Sequence, residues 1–352
     1  MARDVAIVGT AQRPSEVGTV LTSVELILPV IDEVVRKVGL ERKEIGFWCH
    51  GSCDYMSGQP FSFVAAVDAI GAWPPIVESH VEADGALALY EAWVKIQTGE
   101  CDTAVVFSNG KTTSGPIDQI LTLQADPYFV APLWPGFDTL AALQARTCLE
   151  AGVVSERAMA EVAARSRRDA KSNAVAWTKG DHTVDELLAA PYVRDPLRAH
   201  DLPTAVDGAN AVVLAAGDIA RRLSSRPAWI RGFDHRIDTQ RLGARSMTES
   251  NSARVAARAA GVGDDKVDVA ELLAPYTHQE LLLVEALGLD AGRTRINPSG
   301  GALVANPAMA AGLARFAEAA DAVSSGRADR AVAHSTSGPC LQQNLVCVLE
   351  GE

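Results

Sequence analysis

The stretch Ile296-Asn-Pro-Ser-Gly-Gly-Ala-Leu-Val-Ala-Asn-Pro-Ala-Met309 decides the fold. Asn297-Pro-Ser-Gly-Gly301 fits neither a regular strand nor a helix interior. Pro298 drives Asn297 out of the helical region, and the Gly300-Gly301 pair lets one backbone approach another closely. Further on, Asn306-Pro307 puts a proline at a first helical position, followed by the apolar run Met309, Leu313, Phe316. A small-residue turn that opens a helix is expected here.

Working outward, strand and helix signals alternate. Val5 to Val8 reads as a buried strand, Val24 to Val38 as an amphipathic helix, and Ile45 to Trp48 as the start of a second strand. Gly85 to Gln97 reads as a helix with Leu87, Tyr90 and Val94 on one face. Thr103 to Ser108 reads as another apolar strand. Residues 110–150 carry few clear periods and read as an inserted loop region. Ser155 caps a helix running to Asn173, with Ala158, Val162 and Ala163 facing in. Its far side carries Arg165, Arg167, Arg168 and Lys171, a solvated face or a landing site for an anionic cofactor tail, with the solvated face preferred. Val206 to Gly217 reads as a glycine turn and then a strand. Trp229 to Phe233 opens a second set of elements.

That second set repeats the first. Val38-Gly39 before Ile45 answers Val262-Gly263 before Val267. Val67-Asp-Ala-Ile-Gly71 answers Val284-Glu-Ala-Leu-Gly288. Gly99-Glu-Cys-Asp102 and its following strand answer Gly326-Arg-Ala-Asp329 and Arg330 to Ser335. Three landmarks in one order at nearly one spacing indicate an internal duplication. The halves divide at 1–225, including a loop region of about 110–205, and 226–352. Alternating strands and helices in two copies imply an α/β chain of duplicated, layered αβαβα form.

Composition excludes several function classes. With 352 residues the chain can bury two substantial cores. Hydrophobic residues make up 48% and aromatics 5%, which suits an Ala/Val/Leu-rich α/β interior. The net charge of −12 argues against a general binder of nucleic acid or anionic membrane. No apolar run is long enough to span a bilayer, and Met1-Ala-Arg-Asp leads directly into a strand, so a cytoplasmic protein without a secretory leader is expected. The six scattered cysteines read as reduced thiols. Cys49 and Cys53 flank His50, but no second pair at ligand spacing accompanies them, so no metal site is expected.

Several stretches together resemble the thiolase superfamily. They are Ser155-Glu-Arg-Ala-Met-Ala-Glu-Val-Ala163, Asp195-Pro-Leu-Arg198, Asp207-Gly-Ala-Asn-Ala-Val-Val-Leu-Ala215, Glu285-Ala-Leu-Gly-Leu289 and Asn297-Pro-Ser-Gly-Gly-Ala302. They span both halves. The branch they resemble is the sterol-carrier-protein type, which includes actinobacterial lipid-transfer proteins and steroid side-chain aldolases. The resemblance implies the duplicated five-layer thiolase fold with an inserted loop region, and a dimer that buries the strand Thr103 to Ser108 against its copy.

The catalytic residues of thiolases do not carry over in this resemblance. The nucleophilic cysteine, held at a helix N-terminus that favours a thiolate, aligns with Glu82. The loop ending in Gly-His-Pro reads Ala305-Asn306-Pro307, so its histidine is Asn306. The second cysteine aligns near Gly338, with Cys340 two positions away. The Asn-Glu-Ala-Phe stretch becomes Leu273-Ala274-Pro275-Tyr276. Without nucleophile, histidine and asparagine, acyl-cysteine chemistry is not expected.

The resemblance implies instead a retro-aldolase that cleaves a 3-hydroxyacyl-CoA in sterol or steroid side-chain degradation. Such chemistry needs a base for the hydroxyl proton and donors for the enolate oxygen, but no covalent nucleophile. Tyr276 either exchanges that proton or fills the family phenylalanine's place. His278 either orients Tyr276 or caps the next helix. Glu82 is either a general base or a helix-terminal anion, and Asp84 reads as the cap. Asn306 is either an oxyanion donor or a cap. His334 and His80 sit beside the expected cleft or in the core. Ser299, Gly300 and Gly301 shape the pocket by backbone. No cofactor is expected beyond CoA as part of the substrate. The family also implies an OB-fold zinc-ribbon companion protein. The alternative is a non-catalytic subunit that forms a heterodimer with an active thiolase-like paralogue.

Overall fold

The structure is a computed structural model that describes residues 3–58, 60–263 and 265–352. Met1 and Ala2 lie outside it. In chain order the first elements are β1 (Val5–Gln12), α1 (Ser23–Val38), β2 (Phe47–Ser52), α2 (Asp54–Ser57), α3 (Phe63–Ile70), β3 (Glu78–Glu82), α4 (Gly85–Gln97) and β4 (Thr103–Lys111). An excursion follows, with α5 (Ile117–Ile120), α6 (Phe137–Glu150), α7 (Glu156–Asp169), α8 (Val184–Leu188), β5 (Tyr192–Arg194) and β6 (Leu197–Arg198). Then come β7 (Asp207–Ala216), α9 (Gly217–Leu223), β8 (Ala228–Ile237), α10 (Asn251–Ala259), β9 (Val269–Leu272), α11 (Thr277–Ala286), β10 (Arg295–Ile296), α12 (Ala311–Ser324), β11 (Arg330–Ser337) and β12 (Gln343–Glu350).

The main sheet runs β3-β2-β4-β7-β1-β8-β12-β11-β9-β10 among the described residues. Its two sets of five strands pair in the same order and the same sense. β2 lies parallel to β3 and β4, as β9 lies parallel to β10 and β11. β7 lies antiparallel to β4 and β1, as β12 does to β11 and β8. The sets meet through β1 and β8 over only two residue pairs, Ala6 with Trp229 and Ile7 with Ala228.

Strand alternation assigns the layers. Phe47, Val106 and Leu214 of one set and Val269, Ala331 and Leu345 of the other face a shared core around Leu89 and Ala92 of α4 and Leu313 and Phe316 of α12. Trp48, Val105 and Val213 point the opposite way, onto α1, α3 and α9. Leu272, Val332 and Val346 point onto α10, α11 and α6. The order is therefore helix, sheet, helix, sheet, helix. Gly71 and Gly288 follow corresponding helices with φ of 64° and 67°, a left-handed exit that favours glycine, which is why both landmarks read so clearly.

Several expectations are corrected. Thr103 to Ser108 lies inside the sheet, hydrogen-bonded to β2 and β7, so it has no edge left for a second copy; β3 is the open edge on that side. Residues 137–150 form α6, whose Leu140, Ala141, Gln144, Ala145 and Cys148 make a buried stripe of small residues. No turn precedes β7, since Gly208 pairs with Gly110 within the ladder. In α4 the inward face is Ala88, Leu89, Ala92 and Ile96, and Leu87, Tyr90 and Val94 lie half-buried on its flank. Gly261, not Gly263, has the left-handed exit after α10. Among the described residues no helix is long and apolar enough to cross a membrane.

Candidate functional site

The two central helices start at one point. Asp84, a buried residue just before α4, accepts Ala86 N at 2.8 Å. The same carboxylate accepts Gly312 N at 2.9 Å and Leu313 N at 3.1 Å. One side chain thus caps both helices, and their positive ends converge on it. Burial pushes the Asp84 carboxyl above its ordinary range, while the three N–H donors favour the anion. The helix after the Gly-Gly turn therefore begins at Ala311, not at Pro307, and its cap comes from more than 200 residues away.

A cavity of about 350 Å³ opens at this convergence. Glu82, Asp84, Tyr276, Asn306 and Cys340 line it, together with Gln279, Thr336 and Gln342. No histidine lines it among the described residues.

Tyr276 precedes α11, and its ring lies in the core beneath the cavity. Its phenol donates to Asp138 Oδ1 at 2.7 Å. Asp138 sits in the first turn of α6, and its main-chain N–H donates to Asp118 Oδ1 at 2.6 Å. Burial raises the Asp138 carboxyl, and the Tyr276 hydrogen bond opposes that rise. Burial, then the neighbouring Asp138 charge, hold the Tyr276 phenol well above its ordinary range. The pair can pass a proton from the cavity to the carboxylate without forming a free phenolate.

His278 does not reach the cavity. It is fully buried, its Nε2 lies 3.2 Å from Gln144 Oε1, and burial pushes its pKa down to about 3. His334 is likewise buried on β11, with Nε2 2.9 Å from Asn344 Oδ1 and a pKa lowered by burial to about 4. Both are neutral core histidines without contact to the cavity. His80 Nε2 lies 2.8 Å from Ser52 Oγ and 3.8 Å from Glu82 Oε2.

Glu82 lines the cavity but is already engaged, since Oε1 accepts Asp54 N at 2.6 Å at the start of α2. Asn306 also lines it, with its own N–H donating to Thr204 O at 2.8 Å. Cys340 is 4% exposed and burial pushes its thiol up to about 12. Cys53, also on the cavity wall, is pushed up to about 11 by burial. Neither thiol carries the depressed pKa that a nucleophilic cysteine needs.

Ser299, Gly300 and Gly301 lie outside the lining and serve the scaffold. Ser299 N and Oγ both donate to the buried Glu271, at 3.0 and 2.7 Å, and Arg315 Nη1 completes the cluster at 2.6 Å from Glu271 Oε2. Gly300 has φ of 96°, and a Cβ there would stand 3.0 Å from Ser166 O and 2.8 Å from Ala170 Cβ. The turn is thus locked against the end of α7, as its glycines imply. The basic face of α7 is solvated at Arg168 and Lys171, which pair at the surface with Asp169 and Asp181, while Arg165 pairs with the buried Glu280. Among the described residues no group of three or more His, Cys, Asp or Glu side chains is arranged to hold a metal ion.

Sequence reasoning missed Asp138. The helix stripe beginning at Leu140 was the available signal, because it places an acidic residue in the first turn of α6.

No family model matches the chain. An acetyl-CoA acetyltransferase of Methanothermobacter thermautotrophicus is 29% identical over 272 residues, covering 69% of this chain and 70% of that relative. The solved structure of an Ltp2–ChsH2(DUF35) aldolase superposes with a TM-score of 0.82 at 18% identity, covering 99% of this chain and 97% of that one. Human mitochondrial 3-ketoacyl-CoA thiolase superposes with a TM-score of 0.80 at 15% identity, covering 99% of each. The chain has the thiolase fold, and the names of its relatives support the thiolase superfamily.

Proposed function

We propose that this protein is a thiolase-fold retro-aldolase that cleaves the carbon–carbon bond of a 3-hydroxyacyl-CoA. The observation that carries the reading is the Tyr276–Asp138 pair at a cavity whose two thiols are protonated and whose lining includes no histidine among the described residues. In the reaction Tyr276 Oη takes the substrate hydroxyl proton as its own proton passes to Asp138. The Cα–Cβ bond breaks, its electron pair moves into the thioester as an enolate, and the former carbinol carbon becomes a carbonyl. The enolate carbon then takes a proton, returned from Asp138 through Tyr276, which restores the pair and gives a shortened acyl-CoA. The Asn306 amide, in the lining of the same cavity, is the proposed donor to the enolate oxygen. The N–H groups of Ala86, Gly312 and Leu313 cannot, because Asp84 already holds them.

The family resemblance in the sequence is the basis for proposing sterol or steroid side chains, as in cholesterol catabolism, as the substrate class, and an OB-fold zinc-ribbon protein as the companion; the Ltp2–ChsH2(DUF35) aldolase shares the fold. No cofactor is needed beyond the CoA of the substrate, and the cytoplasm is the proposed location. The domain division at 225 stands as part of the same proposal, supported by the matching strand order of the two sets.

The open edge of β3 favours a second reading. Trp73 and Val77 are exposed just before it, and Phe61 and Val64 are exposed nearby in sequence. A non-catalytic subunit would use such an edge to pair with an active thiolase-like paralogue; a homodimer would use it on a second copy. Turnover of a 3-hydroxyacyl-CoA by the purified chain, alone or with the companion, supports the enzyme. Turnover only with an added paralogue, unchanged by Tyr276→Phe, supports the subunit.

A further inference from the structure

A second cavity of about 350 Å³ adjoins the first. Cys53, Tyr55, Ala308 and Met309 line both, so the two share a wall. Their chemistry differs. The first cavity has Glu82 and Asp84 in its lining; the second has no carboxylate, and its one charged lining residue among those described is Lys111.

Lys111 is the last residue of β4 and is half-buried. Its main chain is fixed by the ladder opposite Asp207. Asp207 makes no direct ion pair with the ammonium: its Oδ1 accepts Thr113 N at 2.8 Å, and its Oδ2 accepts Thr19 N at 3.1 Å and Thr113 Oγ1 at 2.5 Å. Glu25 senses the Lys111 charge, but its carboxylate is bonded to Thr22 N at 2.8 Å and Thr22 Oγ1 at 2.9 Å. Lys111 is thus a cation with no acid in its own cavity, on a chain of net charge −12. Asn109, Ser57 and Ser114 add amide and hydroxyl groups to the same walls.

We propose that this second cavity binds an anionic group, a carboxylate or a phosphate, at Lys111. The inference rests on the acyl-CoA reading of the neighbouring cavity and deepens it. If the anion is a carboxylate at the far end of the acyl group, the protein selects acids that bear a second acid function. If it is a phosphate, the cavity holds part of the CoA.

Calorimetric titration distinguishes these sources and does not depend on turnover. Three probes are used: a saturated acyl-CoA ending in a carboxylate, its methyl-ended counterpart, and free CoA. None has the 3-hydroxyl, so failure of the aldolase reading leaves the result intact. The site predicts that Lys111→Met weakens binding about tenfold or more, while Lys111→Arg stays within about threefold of the wild type. Loss confined to the carboxylate-ended probe identifies the acyl carboxylate; equal loss for all three identifies the CoA phosphates. The wild-type protein supplies a check that needs no variant, because raising ionic strength must weaken the same probes that Lys111→Met weakens. Affinities that respond to neither Lys111→Met nor salt overturn the proposal, as does a wild-type protein that binds none of the probes.

Discussion

The Tyr276 phenol donates a 2.7 Å hydrogen bond to Asp138 Oδ1, joining the start of α11 to the start of α6. A buried phenol with a raised pKa is a poor free base but a good relay when a carboxylate stands behind it. Tyr276→Phe is therefore expected to lower kcat by about 10²-fold or more, with unchanged circular dichroism. Asp138→Asn removes the proton acceptor and lowers kcat similarly. The relay needs Asp138 ionised, so wild-type kcat falls as pH drops through its raised pKa. In Asp138→Asn that acidic limb disappears. Unchanged turnover in both variants removes the pair from the mechanism.

Much of the fold was legible because local signals and tertiary roles coincide. The exits at Gly71, Gly99, Gly288 and Gly326 mark corresponding helix ends, and their positive φ explains why they recur. Apolar runs such as Val105 to Phe107 are sheet-buried on both faces and read as strands. The edge at β3 was not legible, because Glu-Ser-His-Val-Glu alternates too weakly to announce a strand. Tyr276 and Asn306 were visible as departures from a family pattern. Asp138 was not, because its role exists only through a contact between distant elements. His278 and His334 drew notice by position, beside Tyr276 and at a strand end, and burial makes both neutral core groups, which for His334 is one of the two readings the sequence offered.

Those buried histidines make the fold acid-sensitive. His50 and His278 have pKa values lowered by burial to about 3, and His334 to about 4. An unfolded histidine binds its proton near pH 6.5, so below that pH the unfolded state holds more protons. The sign follows: stability is fully present above about pH 6.5 and is lost as pH falls toward 3–4, by about 1.4 kcal/mol per pH unit for each histidine. Glu271, raised by burial to about 7, works in the opposite sense between its unfolded value and 7. The His278→Gln variant should show a shallower acid slope of denaturation midpoint against pH than the wild type. An identical slope contradicts a neutral buried His278.

Asp84 is expected to matter more to folding than an ordinary cap. Asp84→Ala leaves Ala86 N, Gly312 N and Leu313 N without their acceptor in a buried place. A single cap is worth about 1 kcal/mol, and buried orphan donors add to that, so a loss of about 2–4 kcal/mol in denaturant unfolding is expected. Asp84→Asn keeps an acceptor and should lose less. Equal, small losses in both variants would show that the two helices do not depend on this carboxylate.

Arg165 and Glu280 form a pair of unequal burial: Glu280 is 2% exposed at its side chain and Arg165 29%. Asn297 Nδ2 donates to the other carboxylate oxygen at 2.7 Å, which ties the pair to the Gly-rich turn. Arg165→Met leaves a buried carboxylate with one neutral donor and should cost about 1–3 kcal/mol, the lower part of that range reflecting solvent screening at Arg165. Adding Glu280→Gln to Arg165→Met should recover part of the loss, since the uncompensated charge is then gone. A double variant no more stable than the single one argues that the pair acts through packing rather than charge.

Cys340 tests whether thiol chemistry has left this cavity. Its Sγ lies 3.5 Å from Leu140 O, and Arg245 donates to the Cys340 and Pro339 carbonyls at 2.7 and 2.6 Å rather than to the sulfur. Burial pushes the thiol up to about 12, so at pH 8 it is protonated. Iodoacetamide at that pH should leave Cys340 unlabelled in the native protein and label it after unfolding. Cys340→Ala should retain turnover within about threefold, because the thiolate is the reactive form and almost none is present. Rapid native alkylation at Cys340, with matching loss of activity, would restore a nucleophilic cysteine to the site and return the reaction to acyl transfer.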